Sequence, residues 1–371
     1  MAPRNINDRL ENLRIRRRGL DRLDRLNEET ASVILNKSFQ EEAWQRRAKN
    51  LPYTQYALGA MQPVDSEYTT ISHEEAQRVA NQLTNKLSNV ETRVQGSVPL
   101  NVHIRGVSDI DLLLLDTDFL TYYSFGSRAD SYSQAPADKT SLSVLKSLRS
   151  RAEDVLTTTF WGANVDCSGG KCIALSGGSL RRPVDVVPSH WIDTVAYQAS
   201  QAVHDREVKI LNKKIPETID NAPFLHIKRV SDRDLLYNGG LKQAIRLVKN
   251  VKNDAESDVV LKLPSFDIAA LMYHANETFL RATIANELYV LMETQRFFDW
   301  CYRNKDAASS LMTPDGKRRV LDTEAKHDGV LAISSELDDL ARQVAREQGL
   351  LDANTGWEAV RKQLGDARVP L

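Results

Sequence analysis

The stretch that decides the fold reads VQGS at residues 94–97 and DIDLLLL at residues 109–115. Its run of leucines is typical of a strand that is buried on both faces. Because side chains two positions apart on a strand point to the same face, Asp109 and Asp111 should lie side by side. Two adjacent carboxylates repel each other unless a proton or a cation lies between them, and Mg²⁺ prefers oxygen ligands. The sequence therefore predicts a magnesium site at the start of this strand.

The VQGS part of the stretch has the features of a phosphate-binding turn. Gly96 lets the backbone approach another group closely, because glycine has no side chain. Ser97 can cap the next turn, where its hydroxyl and the free backbone N–H groups face a phosphate. Gly96 and Ser97 are therefore candidate nucleotide-binding residues.

A Gly-Ser turn, a short helical spacer and a strand-borne Asp-x-Asp together resemble the polymerase-β-like nucleotidyltransferase superfamily. The resemblance implies a third carboxylate on a neighbouring strand, and RPVDVVP at residues 182–188 supplies Asp185 inside a β-branched run. It also implies that Asp109, Asp111 and Asp185 are catalytic and hold two Mg²⁺ ions, with Mn²⁺ as an alternative. The competing interpretation is that the acidic pair marks a solvated strand end.

A second resemblance lies further along the chain. IRLVK at residues 245–249 and KLPSFDIAAL at residues 262–271 are similar to the helix-loop-helix of oligoadenylate synthetases and cGAS-like enzymes. This implies that Lys249 reaches the donor triphosphate and that Phe266 stacks on a base, with Ser265 beside it. A triphosphate at a metal site needs a cation, and a base needs a flat apolar surface. The alternatives are a solvated helix lysine and a core phenylalanine.

The two resemblances together point to the CD-NTase branch of the superfamily. The zinc-binding insertion of the animal DNA sensor is absent, which leaves the bacterial-type group, whose members make cyclic di- or trinucleotides as alarm signals in antiphage defence. One departure is RGVS at residues 105–108, where many relatives have a Gly-Thr pair. The implied function is an Mg²⁺-dependent nucleotidyltransferase that joins nucleoside triphosphates into a cyclic di- or oligonucleotide and releases pyrophosphate.

Two other classes of function share these motifs. Synthesis of a linear oligonucleotide, or nucleotidyl transfer to RNA or protein, would use the same carboxylates. A catalytically silent nucleotide-binding module would keep the fold, but it predicts a lost carboxylate, and all three aspartates are present. The expected partners are the nucleoside triphosphate substrates, together with a regulatory protein or a nucleic acid as activator.

Composition sets the general class of the protein. The 371 residues are 42% hydrophobic, which is enough for a sizeable core. Because 49 basic and 50 acidic residues give a net charge of −1, a polyanion site has to be a local patch. Three cysteines, no secretory signal and no apolar run of transmembrane length favour a cytoplasmic protein without a membrane partner. Cys167 and Cys172 flank a predicted hairpin turn and are interpreted as small buried side chains rather than metal ligands.

The predicted fold class is α+β, a two-lobed nucleotidyltransferase with a mixed β-sheet catalytic lobe and a helical lobe. The predicted divisions are an N-terminal helical extension at residues 1–70, a catalytic lobe at residues 71–203 and a helical C-terminal lobe at residues 204–371. Residues 52–70 and 117–139 are predicted loops.

Local patterns add further expectations. Ser72 with Glu75 resembles a capping box at the start of a helix. The chain is predicted to be helical from Asp205 onward. Leucines between Leu10 and Leu26 form an apolar face on an arginine-rich helix. We favour a packed helix whose arginines pair with nearby acids over an arm that binds nucleic acid or a partner.

Overall fold

The computed structural model describes residues 5–18, 41–281, 286–349 and 355–369. Contacts divide the chain into two compact units, which we call the sheet unit and the helical unit. The sheet unit comprises Asp65–Leu100 and Ser108–Arg229. The helical unit comprises Met1–Val64, Asn101–Val107 and Val230–Leu371.

A seven-stranded mixed sheet forms the centre of the sheet unit. Its strands are β1 Val90–Gln95, β2 Ile110–Tyr122, β3 Asn164–Asp166, β4 Ile173–Ser176, β5 Val184–Asp193, β6 Glu207–Asn212 and β7 Glu217–Asn221. The order is β1-β2-β5-β4-β3, and β6 pairs with both β5 and β7. β2 and β5 are parallel, and the other pairs are antiparallel. The first half of β5 pairs with β4 and its second half with β6.

Helices flank the sheet and build most of the helical unit. In chain order they are α1 Ile6–Arg18, α2 Ala43–Arg46, α3 Pro52–Met61, α4 Ser66–Lys86, α5 Ser141–Thr159, α6 Val195–Ser200, α7 Pro223–Leu236, α8 Gly240–Asn253, α9 Ser265–Met272, α10 Glu277–Leu280, α11 Leu288–Arg303, α12 Lys305–Ser309, α13 Glu324–Glu347 and α14 Trp357–Asp366. Among the described residues, no helix has both the length and the apolar character needed to cross a membrane.

Alternation along β2 and β5 decides which side chains face the helices. Leu112 and Val186 pack in an apolar cluster with side chains of α4 and α5. Leu113 and Val187 belong to a second cluster, together with side chains of β6. Because alternate residues share a face, the odd-numbered residues at the start of both strands project on the side of this second cluster. Both strand-borne aspartates of the predicted site are among these odd-numbered residues.

The segment predicted as a loop at residues 52–70 is mostly helical instead. Pro52 is the first residue of α3, where its missing N–H breaks no helical hydrogen bond and its fixed φ suits a helix. α4 begins after Asp65, whose side chain accepts a hydrogen bond from the backbone N–H of Tyr68. The predicted capping box at Ser72 is therefore wrong, because its hydroxyl donates to the Tyr68 carbonyl inside α4.

Two predicted limits of the sheet are also wrong. β2 continues to Tyr122, into the predicted loop at residues 117–139, after an irregularity in register between Asp116 and Leu120. Polar residues around that irregularity hide the strand pattern. The chain after Asp205, predicted to be helical, forms the antiparallel strands β6 and β7. Burial along β6 largely follows a period of two, which is the pattern of a strand.

The compact units have different limits from the predicted divisions. The sheet unit extends to Arg229, whereas the predicted catalytic lobe ends at residue 203. Met1–Val64 groups with the C-terminal helices, whereas residues 1–70 are predicted as a separate extension. Asn101–Val107 also belongs to the helical unit, and no sequence pattern indicated this.

The described part of the arginine-rich segment is a packed helix. Leu13 of α1 is only 1% exposed. Arg9 and Arg16 form ion pairs with acids elsewhere in the helical unit, at 2.7 and 2.5 Å. These contacts agree with a packed helix, but the two acids, Glu336 and Asp254, are distant in the sequence and are not the nearby acids that were predicted. The rest of the predicted leucine pattern, at residues 19–40, lies outside the described residues.

Candidate active site

The two parallel strands bring two of the predicted carboxylates together. In the register of β2 and β5, Asp111 lies directly opposite Asp185. Neighbouring strands are about 4.8 Å apart, so the two side chains are neighbours on one face of the sheet. On its other side Asp111 pairs with Gln95 of β1. The third carboxylate is thus on the strand next to the Asp-x-Asp strand, as the resemblance predicts.

Gly96 follows β1 and lies against the Asp111 carboxylate. Its φ is +79°, a left-handed conformation that residues with side chains rarely adopt. A Cβ atom at this position would lie 2.1 Å from Oδ2 of Asp111, far inside van der Waals contact. Ser97 is the next residue of the same turn and is half-buried. Glycine is therefore required here by the close approach of the backbone to the carboxylate.

Asp109 lies immediately before β2 and is exposed. Its negative charge affects the pKa of Asp185. Burial raises the pKa of Asp185 above its usual range, a hydrogen bond from Cys172 opposes this, and the negative charge of Asp109 raises the pKa further. The electrostatic interaction between Asp109 and Asp185 agrees with a shared site.

Cys172 lies beside the site, although the sequence analysis did not place it there. Its Sγ donates a hydrogen bond to Oδ2 of Asp185 at 3.4 Å. Burial raises the pKa of the thiol to about 12, and the charges of Asp185 and Asp111 act in the same direction. The thiol is therefore protonated at neutral pH. Its position one residue before β4, which pairs with the Asp185 strand, is the signal that could have found it.

The donor set of the three aspartates suits a hard divalent cation. Carboxylate oxygens are the ligands that Mg²⁺ prefers. Within the part of the chain that the structure describes, no group of three or more His, Cys, Asp or Glu side chains is arranged to hold a metal ion. The assignment of the three aspartates as a metal site therefore rests on the register of Asp111 with Asp185, on the preference of Mg²⁺ for carboxylate oxygens and on the close approach of Gly96. It does not rest on an assembled cluster of ligands.

Lys249 lies in the interior of the helical unit. It belongs to α8, is only 4% exposed, and its Nζ donates to the carbonyl of Val102 at 2.8 Å. One turn earlier, Arg246 donates to the carbonyl of Asn101 at 2.8 Å, and burial lowers the pKa of Arg246 to about 10. The alternative of a solvated helix lysine is therefore wrong. The predicted triphosphate contact of Lys249 stays a prediction.

Ser265 and Phe266 begin α9, and both are exposed. The Phe266 side chain is 37% exposed, and the guanidinium of Arg318 lies 5.4 Å from its ring centroid. The alternative of a core phenylalanine is therefore wrong. An exposed ring beside a guanidinium suits stacking on a base, and this contact stays a prediction.

Comparison with known proteins adds independent findings. No known family model matches the chain. It is 40% identical to the cyclic dinucleotide synthase CdnE of Yersinia aleksiciae, over 96% of this chain and 97% of the relative. It is 29% identical to the c-di-GMP synthase of Lachnospiraceae bacterium (strain RUG226), over 83% of this chain and 94% of the relative. The solved STING-associated CdnE c-di-GMP synthase from Capnocytophaga granulosa is similar with a TM-score of 0.68 and 26% identity, covering 91% of this chain and 97% of that chain.

Proposed function

Because the chain belongs to the family of CdnE cyclic dinucleotide synthases, a branch of the CD-NTase nucleotidyltransferases, we propose that its carboxylate site joins two nucleoside triphosphates into a cyclic dinucleotide. The chain is a nucleotidyltransferase that uses nucleoside triphosphates and releases pyrophosphate. One observation carries the assignment of the site to this sheet. Asp111 lies opposite Asp185 in parallel register, with the backbone of Gly96 against the Asp111 carboxylate.

Family membership confirms several expectations from the sequence. These are the CD-NTase resemblance, the synthesis of a cyclic oligonucleotide and the α+β fold class with a mixed sheet and a helical part. Use of a divalent metal ion is a general property of the family. The identity and number of the ions are part of the proposal.

We assign Asp109, Asp111 and Asp185 to hold two Mg²⁺ ions, with Mn²⁺ as an alternative. Such ions supply positive charge beside the phosphate oxygens and lower the pKa of an attacking hydroxyl. The strand register fixes the backbones of Asp111 and Asp185, so little rearrangement is needed when these carboxylates bind their ligands. Asp109 is exposed and completes the set from the turn before β2.

The proposed reaction is an in-line displacement at phosphorus. The oxygen of an acceptor hydroxyl bonds to the α-phosphorus of a donor nucleotide, the bond to pyrophosphate breaks, and the hydroxyl proton leaves to solvent. Gly96 and Ser97 supply backbone N–H groups and a hydroxyl for the donor phosphates, which orients the α-phosphorus for attack. A second displacement within the linear intermediate closes the ring.

We further propose that Lys249 contacts the donor triphosphate and that Ser265 and Phe266 contact a base. The exposed ring and its guanidinium neighbour support the base contact. The proposal for Lys249 rests on the resemblance of residues 245–249 to the helix-loop-helix motif, since in the structure its Nζ donates to the carbonyl of Val102. Guanine is the first base to test, because two of the relatives are named c-di-GMP synthases.

The deciding experiment is incubation of the purified protein with each labelled nucleoside triphosphate and Mg²⁺, with products identified by mass. We expect a phosphatase-resistant cyclic dinucleotide and its loss in Asp185→Asn. A product that keeps a terminal phosphate would favour linear synthesis. Nucleotide binding without turnover would favour the catalytically silent module.

We also propose that the product is an alarm signal in antiphage defence, and that a regulatory protein or a nucleic acid activates its synthesis. The family of this chain supports the proposal. Plaque assays on bacteria that express the chain with its neighbouring genes would test it. Equal phage sensitivity of wild-type and Asp185→Asn cells would reject the defence role.

A further inference from the structure

We propose that Arg149 and Cys172 are positioning residues for Asp185, because Arg149 fixes the turn between β3 and β4 and Cys172 extends from that turn to the carboxylate. The inference rests on the proposed catalytic role of Asp185. All three residues belong to the sheet unit. Neither Arg149 nor Cys172 is placed in the site by any sequence motif.

Arg149 is a buried arginine of α5 with an unusual set of acceptors. Its side chain is only 2% exposed. The guanidinium donates to four backbone carbonyls of the turn, those of Cys167 at 3.1 Å, Gly169 at 2.9 Å, Gly170 at 3.4 Å and Cys172 at 3.0 Å. A planar guanidinium can serve several acceptors at fixed angles, so it holds the turn in one conformation.

The charge of Arg149 is balanced on the other side of the guanidinium. Its Nε donates to Glu153 one turn later in α5, at 2.7 Å. Glu153 also accepts from Nζ of Lys213 at 2.8 Å, and the backbone N–H of Lys213 donates to the carbonyl of Gly170 at 2.7 Å. The turn is therefore held from two elements of the same unit, α5 and the residue after β6.

Cys172 connects this fixed turn to the site. Its carbonyl accepts from Arg149, and its Sγ donates to Oδ2 of Asp185 at 3.4 Å. One residue thus joins the guanidinium to the carboxylate. A hydrogen bond to Oδ2 limits rotation of the Asp185 carboxylate and so fixes the orientation of its other oxygen, Oδ1. Because a thiol is a weak donor, Oδ2 keeps most of its negative charge for a cation.

The test compares three cysteine variants of the full-length protein. Binding of Mn²⁺ is measured by electron paramagnetic resonance in the presence of a non-hydrolysable GTP analogue, and the Mg²⁺ concentration for half-maximal activity is measured separately. We expect Cys172→Ala to weaken Mn²⁺ binding roughly tenfold, the loss typical when a residue that orients a metal-binding side chain is removed. Cys172→Ser keeps a donor and should restore most of the affinity. Cys167→Ala is the matched control, because it keeps the backbone carbonyl that Arg149 uses.

Arg149→Lys tests the other half of the pair. One ammonium group cannot serve four carbonyls, so we expect a similar loss of Mn²⁺ affinity. The double variant Arg149→Lys with Cys172→Ala should bind Mn²⁺ no more weakly than the single variant of lower affinity, because both residues act through one carboxylate. If Arg149→Lys does not fold, the three cysteine variants alone decide whether Cys172 positions Asp185.

The outcomes separate this inference from the function on which it rests. Full activity in Asp185→Asn would reject the proposed site itself. An inactive Asp185→Asn together with wild-type Mn²⁺ affinity in Cys172→Ala would reject only the positioning role. Equal losses of affinity in Cys172→Ala and Cys172→Ser would also reject it, because the effect would then come from packing and not from the donor.

Discussion

Short motifs predict candidate residues in both units, but the sheet unit brings its candidates together whereas the helical unit buries one of them. In the sheet unit, Asp111 and Asp185 face each other across two paired strands. In the helical unit, Lys249 is buried and donates to a backbone carbonyl. A strand period of two fixes which side chains share a face, whereas a helical motif does not fix which neighbour covers a side chain. Strand motifs therefore locate a site more directly than helix motifs do.

The largest expected effect is in the sheet unit. Asp109→Asn combined with Asp111→Asn should reduce nucleotide turnover at least about 10³-fold, because the carboxylate charges that we propose to bind cations are lost. The melting temperature should hold or rise, since two like charges are removed from neighbouring positions. Product formation and thermal unfolding measure the two effects. Asp118→Asn, an exposed substitution on the same strand, is the control. Wild-type turnover in the double variant would remove the metal-site assignment.

A second effect concerns the close approach of the β1 turn. Gly96→Ala should lower turnover about 10²-fold, because the added Cβ displaces the Asp111 carboxylate. Gly177→Ala is a matched control, since its φ is +71° and no atom lies within 4 Å of the added Cβ. Both variants should lose about 1–3 kcal/mol of unfolding free energy through backbone strain. Equal turnover in the two variants would show that the contact with Asp111 is unimportant.

In the helical unit the largest expected effect is on stability. Leu13→Ala should lower the unfolding free energy by about 2–4 kcal/mol, because the side chain is buried where α1 packs. Leu235→Ala removes the same atoms from a side chain that is 76% exposed and should have little effect. Denaturant unfolding measures both. If Leu13→Ala unfolds like the wild type but weakens salt-sensitive RNA binding, the nucleic-acid arm would be the better interpretation of α1.

Lys249 can be tested against a lysine of the same helix. Lys252 also donates to a backbone carbonyl, that of Leu263, at 2.6 Å. Both Lys249→Met and Lys252→Met should lower the unfolding free energy by about 1–3 kcal/mol, because a carbonyl loses its donor. Only Lys249→Met should raise KM for the nucleoside triphosphate, roughly tenfold for a charge-assisted phosphate contact. Equal KM values would leave Lys249 as a structural lysine.

The smallest expected effect is the pH dependence of Asp185. Burial raises the pKa of Asp185, so the folded state binds its proton more tightly than the unfolded state. Folding stability therefore falls as pH rises through the raised pKa and stays lower above it. In EDTA at neutral pH, Asp185→Asn should melt slightly higher than the wild type, and the difference should vanish in acid, where both side chains are neutral. A lower melting point at neutral pH would contradict this.

Much of the sheet unit follows from the sequence, because its patterns are local. The leucine run predicts β2, and β-branched residues predict the strand that carries Asp185. The Gly-Ser turn predicts a close backbone approach, which is realised at Gly96. Each of these depends on residues next to one another in the chain.

The features that the sequence did not predict depend on distant or ambiguous contacts. Pro52 can end one helix or begin another, and only the packing of α3 decides between them. The hydrogen bonds of Arg149 join α5 to a turn that follows it, so no spacing rule reveals them. The same holds for Lys249 and Val102. The sequence shows which residues carry a charge, but it does not show which backbone carbonyl a buried charged side chain donates to.

The parallel pairing of β2 with β5 has a consequence for how the protein is made. On the ribosome, β2 emerges well before β5, and α5 and the β3–β4 hairpin are synthesised between them. Non-local parallel strands pair late and slowly, because the intervening chain has to be ordered first. A nascent or truncated chain that ends before β5 has Asp111 without Asp185. With the catalytic role that we propose for Asp185, such a fragment lacks one of the three carboxylates, and we expect no nucleotide turnover before β5 has paired with β2.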